Sequence, residues 1–93
     1  MSVTSHLKSL QALAVAIREG SLKAAADRLA ITPAAVGQRI RALEDYLGTD
    51  LLLRGRSGLT PTPELDRALP DLRQAFDALD RVTETLDFQR ISE

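Results

Sequence analysis

The stretch "AAADRLAITPAAVGQRIRALE", residues 24–44, has good helix formers at both ends and a break at its centre. Ala, Leu, Arg, Gln and Glu all favour helix, but Ile31-Thr32-Pro33 interrupts them. Thr is a favoured N-cap, and Pro is favoured at the first helical position, where its missing N–H loses no partner. Pro also pushes the residue before it out of helical geometry. One helix therefore ends near Ala30 and another begins at Pro33. So few residues between them allow only a tight turn between crossing helices, which is a helix-turn-helix signature.

The flanking sequence supports this. Leu7, Leu10, Leu13, Ala14 and Ile17 recur at spacings of three and four, which predicts an amphipathic helix with Gly20 as its stop. Ser21 caps the next helix, in which Leu22, Ala25, Ala26 and Leu29 face one way. In the helix from Pro33, the spacing puts Val36, Ile40, Leu43 and Leu47 on a core face, and Gly48 ends it. Ala34, Gly37, Gln38 and Arg41 fall on the opposite, smooth face. Leu51-Leu52-Leu53, the turn-prone "RGRSG" and then "LTPT" predict a two-stranded hairpin with Arg54 and Arg56 at its tip.

The pattern changes at Thr62. Leu65, Leu69, Leu72, Phe76, Leu79, Thr83 and Leu86 alternate spacings of four and three, with Thr83 the one polar lapse. Such a heptad row argues for a long helix that packs on a partner. Thr62 caps it and Pro63 starts it, while Pro70 inside the pattern predicts a kink. The expected fold is mainly α. It is a winged helix-turn-helix over 1–62 (three helices and a short β-hairpin wing), followed by a dimerisation helix over 63–93.

Composition narrows the function. Ninety-three residues make one modest domain. The absence of Cys excludes disulfides and thiolate metal sites. No apolar run approaches the ~20 residues that span a bilayer, and "MSVTSHLKS" lacks the regions of a signal peptide. A cytoplasmic protein with no membrane partner is expected. The net charge of −1 hides a division, because residues 1–62 carry +3 and residues 63–93 carry −4. A basic head with an acidic arm is compatible with DNA.

From Leu7 to Leu86 the chain resembles the N-terminal DNA-binding region of LysR-type transcriptional regulators, particularly the branch around the glycine-cleavage activator. The resemblance rests on Ser21 with Ala25-Ala26, on Ala34-Ala35-Val36, and on the run from Ile40 through Leu43-Glu44 to Leu47-Gly48. It implies double-stranded DNA as partner and linker helices that run antiparallel. The apolar row on the arm predicts a homodimer or higher oligomer, and a two-fold dimer reads an inverted-repeat operator. In the family a Gln usually stands at position 33 and a Ser at 37, both facing DNA. Here they are Pro33 and Gly37, so polar readout is thinned. Glu64-Leu65 replaces the family's Ala-Gly entry to the linker helix. The family's effector-sensing domain is absent from these residues, so no small-molecule effector is expected on them.

Gln38 and Arg41 are the candidates for base readout, since Gln pairs with adenine and Arg with guanine. A solvated helix face is the plain alternative. Thr32 is a cap whose hydroxyl also suits a phosphate. Lys23 is a phosphate candidate, and Arg54 and Arg56 suit a phosphate or the minor groove. Gly37 in a helix costs about 1 kcal/mol against Ala; close approach to DNA would justify that, and so would mere drift. Leu65, Leu69, Leu72, Phe76, Leu79 and Leu86 are the dimerisation candidates. His6 is the only histidine, and the acids form no catalytic pair. No catalytic residue, cofactor or metal site is expected. A winged-helix protein-interaction module with a coiled-coil arm is the alternative function.

Overall fold

The computed structural model describes residues 3–55 and 58–92, and within those ranges side chains are described from Ser5 to Asp87. After a short 3-10 turn at Val3–His6 come helices α1 (Leu7–Glu19), α2 (Leu22–Leu29) and α3 (Pro33–Leu47). A two-stranded antiparallel wing, β1 (Leu52–Gly55) and β2 (Gly58–Pro61), leads into the long α4 (Pro63–Ser92). This is a winged helix-turn-helix with an arm, as the break at Thr32-Pro33 indicates. Arg56, expected at the tip of the wing, lies outside the described residues.

Local capping sets the helix boundaries. Ser21 Oγ accepts from the Ala24 N–H at 3.0 Å, and Thr32 Oγ1 accepts from the Ala35 N–H at 3.1 Å. Gly20 and Gly48 close α1 and α3 in left-handed geometry, where glycine has no Cβ penalty. Ala30 closes α2 in the same geometry, at φ 58°, and does so without that freedom.

The first three helices cross closely because their contacts are small. Ala12, Ala16, Ala25 and Ala26 are buried alongside Leu13, Val36, Ile40 and Leu43. Leu47, expected in this core, is exposed, because α3 ends at it and the chain turns away at Gly48. A second correction concerns the arm. Leu65 and Leu69 are 3% and 7% exposed and belong to the head's own core, and Leu72 packs against it. The head therefore uses the first turns of α4, and residue 62 is not where packing ends. Pro70 lies within α4, which continues past it to Ser92.

One buried acid ties α3 to the wing. Glu44 Oε2 accepts from the N–H groups of Leu51 (2.8 Å) and Leu52 (3.3 Å). Thr62 joins the wing to the arm: its hydroxyl donates to the Asp50 carbonyl at 2.8 Å, and its N–H donates to the Leu51 carbonyl at 3.0 Å. Glu44→Ala removes the acceptor from two buried amides and is expected to destabilise the fold by about 2–3 kcal/mol. Glu44→Gln, which keeps one oxygen, should lose less. Urea denaturation of the two variants checks this, and equal midpoints would show that water replaces the carboxylate.

Candidate nucleic-acid interface

Because Val36, Ile40 and Leu43 turn inward, the start of α3 presents Ala34, Gly37, Gln38 and Arg41 outward. The wing folds back beside this face. Arg54 sits within β1, opposite Leu59 in the ladder, and not at the tip where the sequence suggested it. A concavity of about 470 Å³ results, lined by Pro33, Ala34, Gly37, Gln38, Arg41 and Arg54, with Leu22 of α2 at its edge. Two cations and an amide thus share one face without an acid among its lining residues.

The arginines are available to a ligand. Among the described residues neither Arg41 nor Arg54 is held in an ion pair. Glu44, one turn beyond Arg41, is occupied by the amides of Leu51 and Leu52 and does not compete for them. Asp45 and Asp50 line a separate concavity on the far side of the same two arginines. Arg41 and Arg54 therefore form a ridge between an acid-free hollow and an acidic one.

Gly37 is open on this side. A Cβ there would meet only the Leu22 Cδ1, at an ordinary 3.8 Å. The head's own packing does not require glycine at this position. By contrast, Gly58 has φ 104°, and a Cβ on it would approach the Gly20 carbonyl to 3.2 Å, so the tip end of the wing, where Gly58 pairs with Gly55, abuts the α1–α2 turn.

Of the other expected contacts, Lys23 and Thr32 are exposed but do not line the concavity. Leu22 does line it, although its spacing suggested only a core role. The edge position arises from how α2 meets α3, which helical periodicity does not express. Among the described residues, no group of three His, Asp or Glu side chains is placed to hold a metal ion. No helix among them is long and apolar enough to cross a membrane.

The family model of bacterial regulatory helix-turn-helix proteins of the lysR family matches residues 7–64. The chain belongs to the LysR family. It is 44% identical over 84 residues to the HTH-type transcriptional activator AmpR of Rhodobacter capsulatus, covering 90% of this chain and 29% of that protein. It is 42% identical over 60 residues to the transcriptional regulator TdcA of Escherichia coli K12, covering 64% of this chain and 18% of that one. The chain thus spans less than a third of the length of either relative. Among solved LysR-family structures, the BenM DNA-binding domain with benA site 1 DNA superposes at a TM-score of 0.74 with 28% identity. That match covers 94% of this chain and 96% of that one. The CbnR DNA-binding domain in complex with DNA gives 0.69 with 26% identity, covering 88% and 94%.

Since Gly37 meets nothing closer than ordinary contact, Gly37→Ala is expected to raise the unfolding free energy by about 0.5–1 kcal/mol. A lower urea midpoint in this variant would mean that α2 and α3 lie too close for a methyl group.

Proposed function

We propose that this LysR-family chain binds double-stranded DNA sequence-specifically, with the start of α3 in the major groove and Arg54 of the wing on the flanking backbone or minor groove. The observation that carries the reading is the acid-free concavity that brings Gln38 and Arg41 of α3 beside Arg54 of the wing. A helix of this kind reads base edges with its first turns. Gln38 and Arg41 lie one and two turns into α3, on its outward face. Pro33, Ala34 and Gly37 keep that face low, so that the backbone approaches the bases. Thr32 and Lys23 extend the contact along the phosphates, and Arg56 adds a cation to the wing. The alternative of a protein-binding winged helix has no comparable observation in its favour.

The exposed part of α4 supports a homodimer joined through the arms. Leu79 and Leu86 are 46% and 63% exposed, and a bare apolar row of this kind is what self-association covers. Two heads on one two-fold axis read two half-sites, so the operator is an inverted repeat.

Titration against random duplex DNA at two salt concentrations tests the first proposal. Binding that weakens steeply with salt is expected; no binding at low salt would overturn the reading. In selections from random sequence, Gln38→Ala or Arg41→Ala should relax one or two operator positions, at about 1–3 kcal/mol on the best site. An unchanged selected motif would move base readout off α3. Leu79→Asp should yield monomers whose specific affinity falls steeply, because the second head no longer binds at high effective concentration. Sedimentation of wild type and variant at micromolar concentration checks this.

A further inference from the structure

The concavity beside α3 has two unlike parts. Gln38, Arg41 and Arg54 bring side chains that donate hydrogen bonds, whereas Leu22, Pro33, Ala34 and Gly37 bring none. The backbone of the first turn adds little. Pro33 has no N–H, and those of Ala35 and Val36 are taken by the hydroxyl and carbonyl of Thr32. At about 100° per residue, Pro33 and Gly37 lie on one edge of the outward face and Gln38 on the other. The Pro33–Gly37 edge is the one that meets α2, because the Leu22 Cδ1 stands 3.8 Å from where a side chain at Gly37 would begin.

Leu22 is the member of this site that helical periodicity does not explain. It is the first residue of α2, directly after the Ser21 cap. It packs against the core but remains only half-buried, so part of its side chain is left on the concavity. Gly37 keeps that part open, since a long side chain at this position would extend across it. The head's packing does not call for the glycine, as a Cβ there meets only ordinary contact. Leu22 opposite Gly37, bordered by Pro33 and Ala34, is an apolar notch in a cationic surface.

Duplex DNA has one group to put there. Base edges in the major groove carry donors, acceptors and a single apolar substituent, the 5-methyl of thymine. A notch without donors or acceptors selects bases through that group. Arg41 and Arg54 beside it, with no acid among the lining residues, suit a polyanion better than an apolar protein segment. We infer that Leu22, together with Pro33, Ala34 and Gly37, is a specificity-determining site for the 5-methyl group of a pyrimidine. The chain thereby reads one base from α2 as well as from α3. This rests on the DNA binding proposed above and adds the group recognised and a reading residue outside α3. Such a notch meets the methyl and not the rest of the ring, so 5-methylcytosine fits it as thymine does. Binding is therefore sensitive to cytosine methylation.

The test takes a duplex selected by the 93-residue chain from random sequence. Each dT is replaced singly by deoxyuridine, which deletes only the 5-methyl group. The transfer free energy of one buried CH2-sized group predicts a loss of about fourfold in affinity at one thymine of a half-site. At that position 5-methyl-dC should bind about fourfold tighter than dC. In Leu22→Ala both ratios should fall to near one. A folding defect would weaken binding to both duplexes alike and leave the ratios where they were. Should Leu22→Ala not fold, Gly37→Val decides in its place, because it fills the notch while Leu22 stays. Specific binding in which no thymine is sensitive to its methyl, or ratios that survive the substitution, overturns the notch and leaves DNA binding standing. No binding to duplex DNA at low salt overturns the reading on which it rests.

Discussion

The peptide groups on either side of Leu51 are where three elements meet. The Leu51 N–H donates to the Glu44 carboxylate of α3, and its carbonyl accepts from the N–H of Thr62, the residue that caps α4. The wing starts at the next residue. A buried amide or carbonyl without a partner costs about 1–3 kcal/mol, so none of the three elements shifts without stranding a polar group. The spacing of Arg41, one turn before Glu44, from Arg54, three residues after Leu51, follows from this joint. The concavity that faces DNA in the proposed function thus depends on groups that do not line it.

A small head achieves its rigidity with small residues. The buried alanines let α1, α2 and α3 approach closely, and the larger Leu13, Ile40 and Leu43 fill what remains. Leu65 and Leu69 then bring the base of α4 into the same core. The arm is consequently a continuation of the head, and its direction is set by packing against α1 as well as by the chain connection. The Arg18–Asp77 contact between exposed groups adds little to this, since such surface pairs are worth about 0–1 kcal/mol.

Charge is divided along the same lines. The acids of α4 between Leu72 and Leu86 lie on one half of the helix, away from the apolar row, and the head carries the net positive charge.

The amino-acid sequence determined what depends on neighbours a few residues apart. Ser21 and Thr32 cap amides three residues on, Pro33 starts a helix, Gly20 and Gly48 stop two others, and the alternation of apolar residues marks each buried face. Those features disclosed the winged helix-turn-helix and placed Gln38 and Arg41 on one outward surface. Tertiary structure decided the rest. Glu44 looked like a scattered acid because its amide partners lie seven and eight residues away, across a turn whose path the spacing does not specify. Leu47 kept the period of a core residue but has no neighbour to bury it. On α4 the heptad row continues evenly from Leu65 to Leu86, yet its first leucines are claimed by the head and its later ones are not. Periodicity reports only that a face is apolar; what covers it depends on where other helices end.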